Sequence, residues 1–206
     1  MKLFEYQNKP VRVTDKWGCI HTGVAEVFSP EYGLQEYDRE EESMKIGEAV
    51  IFAGDLEEVK LLPSFREAVA SIPPGRYRHF KGKDYEVLAL ARHSETEEPM
   101  VVYRTLYGDG SVWVRPADMW NEAVERGGKV YRRFYRLDRI ERVENYERLF
   151  DAAKVDRDRE KLRQLDAYYS SGQWLEDYEA DERGELPPDL KRGVLSQDAL
   201  YDLLQE

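Results

Sequence analysis

Short apolar–polar alternations occupy the first two thirds of the chain and give way to a helical period in the last third. Val11-Arg12-Val13-Thr14 alternates with a period of two, the mark of a strand with one buried face. Asp15-Lys16-Trp17-Gly18 reads as a turn, and a longer strand follows over 19–28, with Gly23 as its bend or bulge. Residues 31–45 are acidic and turn-rich and read as a loop, before two more strands at 49–52 and 59–62. Ser64-x-x-Glu67 fits a capping box, in which hydroxyl and carboxylate satisfy the free N–H groups of a first helical turn. It predicts a short helix over 65–71, ended by Pro73-Pro74-Gly75.

Strands recur at 76–80, 85–93 and 100–107, and Gly108-Asp109-Gly110 makes a tight hairpin turn. In the next strand Val112 and Val114 point one way while Trp113 and Arg115 point the other. Pro116 starts a helical turn, and Gly127-Gly128 is a turn before a last strand over 130–137. The period then changes. Ile140, Val143, Tyr146, Leu149, Phe150 and Ala153 share one helix face, and Leu162, Leu165 and Tyr168 or Tyr169 continue the pattern. Ser171-Gly172 interrupts it, and a final helix follows Ser196 as N-cap, carrying Leu200, Leu203 and Leu204.

The expected fold class is therefore α+β. A small barrel over 1–62, a short helical linker over 63–74 and a second small barrel over 75–137 precede a C-terminal helical segment over 138–206.

Composition narrows the function classes. The 206 residues carry a net charge of −11, yet 14 Tyr, 7 Phe and 4 Trp are enough to build cores. Charge is uneven: the outer segments are acidic, and residues 73–137 are net basic. An acidic surface repels phosphate backbones, so nucleic acid is disfavoured and the middle segment is where any anion would bind. No apolar run approaches membrane length, and the N-terminal residues lack a signal-peptide core. With Cys19 as the single cysteine, this predicts a cytoplasmic protein without membrane contact.

The middle segment resembles the bacterial family called domain of unknown function 1653. The resemblance is carried by Gly75-x-Tyr77-x-His79-Phe80-Lys81-Gly82, Ala91-Arg92-His93-Ser94-Glu95-Thr96, Val101-Val102-Tyr103-Arg104 and Trp113-Val114-Arg115-Pro116. The C-terminal segment resembles domain of unknown function 4298, through Tyr169-x-Ser171-Gly172-x-Trp174, Asp177-Tyr178-Glu179-Ala180-Asp181-Glu182 and Gly193-Val194-Leu195-Ser196. It departs from that family at the front, where the leading helix reads as shortened. Val11-Arg12-Val13-Thr14-Asp15 and Gly23-Val24-Ala25-Glu26-Val27 are similar to small Sm-like barrels, so both barrels are expected to be SH3/Sm-like. None of these resemblances implies a reaction or a cofactor.

Candidate chemistry concentrates in the middle segment. His79, His93 and Glu95 are side chains that serve as metal ligands or as acid and base, and equally as structural residues. Tyr103, Arg104, Tyr107, Trp113 and Arg115 interleave rings with cations on two strands joined by a hairpin. By alternation Tyr103 and Tyr107 share one face, suited either to barrel filling or to stacking on a ligand, and Arg115 suits a phosphate or carboxylate. Asp177-x-Glu179-x-Asp181 lacks the glycine and final glutamate of a calcium loop and reads as a solvated acidic turn. The chain has no phosphate-cradling glycine loop, no nucleophile elbow and no cysteine pair. The sequence thus predicts a binding or adaptor protein for a small anionic or aromatic ligand, or a peptide. An RNA-associated accessory protein and a metal enzyme built on His79, His93 and Glu95 are the alternatives.

Overall fold

The N-terminal segment changes sheets at the buried Ala25. In the computed structural model, which describes residues 2–205, strand β1 (Pro10–Asp15) buries Val11 and Val13 and pairs with β2 (Ile20–Val24). The chain then breaks at Ala25, whose N–H donates to the Lys9 carbonyl at 2.9 Å, and resumes as β3 (Glu26–Phe28) in another sheet. Gly23, expected as the bend, instead holds its place opposite Val11. A Cβ there would stand 3.0 Å from the Ile46 Cγ2, so glycine lets two sheets approach closely.

With β4 (Ser43–Ile46), β5 (Ala49–Phe52) and β6 (Leu56–Leu61), the segment forms two open three-stranded sheets, ordered β2-β1-β6 and β3-β4-β5. Leu3, Val11, Val13, Ala25, Val27, Met44, Ile46 and Ile51 make their common core. Among the described residues these two sheets stay open and are broken from one another at Ala25, so they do not close into the expected first barrel.

The expected loop over 31–45 holds helix α1 (Pro30–Tyr37) instead. Ser29 caps it, Pro30 occupies its first turn and Asp38 ends it in a left-handed conformation at φ 56°. A Cβ on Gly33 would lie 2.6 Å from the Arg39 carbonyl oxygen, so only glycine lets the chain return there. Helix α2 (Phe65–Ser71) carries the full capping box: Glu67 accepts from the Ser64 N–H at 2.8 Å, and Ser64 Oγ accepts from the Glu67 N–H at 3.3 Å.

Strands β7 (Gly75–His79), β8 (Asp84–Arg92), β9 (Pro99–Thr105) and β10 (Val112–Pro116) are followed by the short helix α3 (Ala117–Trp120). The expected last strand over 130–137 is split at Arg133. Its first half, β12 (Lys129–Arg132), pairs with an unforeseen strand β11 (Ala123–Arg126). Its second half, β13 (Phe134–Arg136), pairs with β7. Gly127 and Gly128 both take positive φ (60° and 73°), the requirement of a tight primed hairpin turn. The result is an open five-stranded sheet, β10-β9-β8-β7-β13, and a separate two-stranded hairpin. Among the described residues this sheet does not close into the expected second barrel either, because β12 leaves it for the hairpin and β10 remains an edge.

The chain divides into two compact units. The first takes the chain up to Pro74 with Val87–Tyr103 and Val112–Trp120; the second takes Gly75–Glu86, Arg104–Ser111 and the chain from Asn121 onward. Four helices dominate the second: α4 (Leu137–Asp156), α5 (Arg159–Ser170), α6 (Gly172–Glu182) and α7 (Gln197–Gln205). Arg157 closes α4 in the left-handed region, and the Asp158 carboxylate caps α5 by accepting from Glu160 and Lys161 N–H groups. The predicted apolar face enters one core: Ile140, Val143, Phe150 and Ala153 meet Leu165, Tyr168, Trp174, Val194 and Leu200. Tyr146 stacks on Tyr168 at 3.8 Å. The acidic stretch Asp177–Asp181 is helical, not a turn, and Asp177 is fully buried. Among the described residues no helix is long and apolar enough to cross a membrane.

Candidate functional site

A cavity of about 900 Å³ opens within the second unit. Its first wall is the end of β7, with Arg78, His79 and Phe80; its second is the β11–β12 hairpin, with Arg126, Lys129 and Tyr131. Helix α4 contributes Ile140, Glu144 and Glu147, and the segment after α6 contributes Pro187, Asp189, Leu190 and Lys191. The splitting of the expected strand at Arg133 makes this hollow, since it lets the hairpin stand away from the sheet. The hairpin is tied down at its base: the Arg132 N–H donates to the Tyr135 hydroxyl at 2.8 Å, and the Phe80 N–H to the Arg133 carbonyl at 3.1 Å. Burial holds the Tyr135 hydroxyl above the usual tyrosine value, keeping it neutral as an acceptor.

The apolar lining is largely aromatic. Phe80 and Tyr131 have ring centroids 5.8 Å apart, and His79 lies 4.5 Å from Phe80 and 5.0 Å from the buried Phe134. His79 Nδ1 accepts the Lys81 N–H at 3.2 Å. Arg78 is held by Asp84 through two bonds of 2.8 and 3.0 Å. Lys191 pairs with Asp151 and, at 3.4 Å, with Glu147. By contrast, among the described residues Arg126, Lys129, Glu144 and Asp189 have neither a hydrogen bond nor an ion pair through their side chains.

Of the residues singled out from sequence, His79 lines this cavity. Tyr107 sits just past β9 in the same unit, its hydroxyl 2.8 Å from that of Tyr85, with the Lys83 ammonium over its ring. Arg104 pairs with Glu86 at 2.6 Å. The remaining five belong to the first unit. Tyr103 is buried against Trp120 at 5.1 Å and fills core. Tyr103 and Tyr107 do not share a strand face: the ladder ends at Thr105, whose N–H turns to the Ser111 carbonyl. Trp113 is exposed and Arg115 half-buried, both on β10. His93 Nδ1 accepts the N–H groups of Glu95 and Thr96, both at 3.3 Å, so it shapes the turn after β8, and the Glu95 side chain is exposed. Among the described residues no group of three or more His, Cys, Asp or Glu side chains is placed to hold a metal ion.

The cavity residues Arg126, Lys129 and Tyr131 escaped the sequence reading. The signal available was Arg126-Gly127-Gly128-Lys129, two cations flanking a two-glycine turn inside the one basic segment. The carboxylates of α4 carried no signal, since on a helix they resemble any solvated face.

Comparison with known proteins identifies the segments without assigning chemistry. Residues 75–136 match the family model described as protein of unknown function (DUF1653), and residues 139–206 match domain of unknown function (DUF4298). A crystal structure of a DUF1653 protein from Bordetella bronchiseptica is 41% identical, spans 32% of this chain and 87% of that one, and superposes with a TM-score of 0.30. No curated protein matches.

Proposed function

We propose, for a chain built of a DUF1653 segment followed by a DUF4298 segment, that it is a binding module whose cavity takes a small ligand bearing an anionic group on an aromatic or apolar body. The cavity itself carries the reading. Its volume of about 900 Å³ lies within the range of small-molecule sites, which are apolar clefts with a few oriented polar groups. Phe80, Tyr131 and Tyr135 supply contact area, and Arg126 and Lys129 supply unpaired positive charge at the hairpin. His79 adds a third type of group, a ring held among rings.

The test uses 8-anilinonaphthalene-1-sulfonate, an aromatic anion whose fluorescence reports apolar sites. Native protein is expected to bind one equivalent saturably. Lys129→Glu and Tyr131→Ala should each weaken binding about tenfold, as loss of a charged hydrogen bond or of ring contact does. Their far-ultraviolet circular dichroism should be unchanged. Unsaturable binding, or variants that bind as the native protein does, would refute the reading.

A further inference from the structure

The cavity's charges are sorted by segment. Every side chain with a fixed charge that the sheet and hairpin present to it is a cation: Arg78, Arg126 and Lys129. The helical segment presents four carboxylates, Glu144, Glu147, Asp151 and Asp189, against two cations, Arg148 and Lys191. Internal pairing uses up part of each set, because Arg78 holds Asp84 and Lys191 bridges Asp151 and Glu147. Among the described residues the charges left without an ion pair are Arg126 and Lys129 on the hairpin and Glu144 and Asp189 on the helical segment, together with Arg148 of α4, which donates to the neutral Asn145 side chain. A simple anion would satisfy the hairpin cations Arg126 and Lys129 and meet repulsion from Glu144 and Asp189.

Size and apolar character narrow the class further. A compact hollow of this volume is about 12 Å across, the reach of three or four extended residues at about 3.4 Å each. Phe80, Tyr131, Ile140 and Leu190 are the apolar part of the same lining.

We infer that the cavity takes a zwitterion, an oligopeptide of about three residues with free termini and an apolar or aromatic side chain. Its carboxylate lies toward Arg126 and Lys129, and its ammonium toward Glu144 and Asp189. This deepens the binding reading above and rests on it. Charge at both ends fixes the ligand's direction, and the rings between select the side chain.

Three peptides separate the terms by calorimetry on the full chain: Ala-Phe-Ala, its N-acetyl form and its C-terminal amide. The free tripeptide should bind about tenfold tighter than either blocked form, the scale of one charge-assisted hydrogen bond. Lys129→Glu should abolish the penalty for amidation while keeping that for acetylation, and Asp189→Lys should do the reverse. Equal affinity for all three forms would overturn the inference. So would a protein that binds the naphthalene sulfonate saturably but none of the peptides, and in that case the binding reading survives. A protein that binds neither loses both.

Discussion

Arg142 grips Asp177 with two guanidinium nitrogens, Nε reaching Oδ2 at 2.7 Å, and Asp177 is wholly buried. The Tyr168 hydroxyl donates to the same carboxylate at 2.8 Å, and Arg139 stands 3.4 Å away. Burial first, and Asp177 second, push the Tyr168 hydroxyl well above the usual tyrosine value, so it remains a donor at any physiological pH. This cluster fastens α6 to α4 and α5, turning an apparently solvated acidic motif into a core element.

Asp177→Asn should therefore destabilise the second unit by about 3 kcal/mol, because it leaves a partly buried guanidinium without its counter-charge. Urea unfolding followed by tyrosine fluorescence is the measurement. A loss under about 0.5 kcal/mol, the scale of an exposed pair, would show that the cluster is surface decoration.

In the first unit Arg12 bridges Asp118 at 2.7 Å and Glu98 at 2.9 Å, and Lys60 joins Asp118 at 2.8 Å. Burial raises the pKa of Asp118, but Lys60 and Arg12 together outweigh it and hold the carboxyl below its usual range. A depressed folded value stabilises the fold above the unfolded one, about 4 for aspartate, and that contribution is lost as pH falls through the folded value. Calorimetry of the native protein should show its thermal midpoint falling below about pH 4. Arg12→Ala should lower the midpoint at pH 7, with a cost of about 2 kcal/mol, and flatten the acid limb. An unchanged acid limb in that variant would separate Asp118 from the effect.

Ser64→Ala removes one half of the capping box, the Oγ that accepts the Glu67 N–H, while the Glu67 carboxylate still accepts the backbone N–H of residue 64. The expected loss is about 1 kcal/mol, confined to α2, and faster amide exchange in the first turn of that helix is its signature.

That box was legible because it is local: four consecutive positions specify their own bonds. The same holds for the α4 face, where Ile140, Val143, Phe150 and Ala153 enter the core as their spacing implies. Helix α1 had its signal in Ser29-Pro30, outweighed by the acidic residues after it. Closure of a sheet is not local. Whether β12 continues into β13 depends on what Arg133 and Phe80 bond to, and the alternation over 130–137 is the same in both cases. The cavity follows from that split, so its lining, gathered from four distant stretches, could not be read before the sheet was known.

Gly193 makes room for the cavity residue Glu147 by having no side chain. A Cβ there would stand 2.7 Å from Glu147 Oε1 and 3.1 Å from Phe150 Cε1, while Glu147 Oε2 accepts the Val194 N–H at 2.6 Å. Glu147 is buried and cannot swing away without orphaning that N–H, and Phe150 is packed in the core. Gly193→Ala should cost about 2 kcal/mol, the scale of overpacking. Because Glu147 and Lys191 both line the cavity, the displacement should also weaken naphthalene sulfonate binding. Glu147→Ala relieves the clash but leaves the Val194 N–H unmatched, so the double variant should be less damaged than the sum of the singles. Strict additivity in thermal unfolding would mean that the two residues do not press on each other.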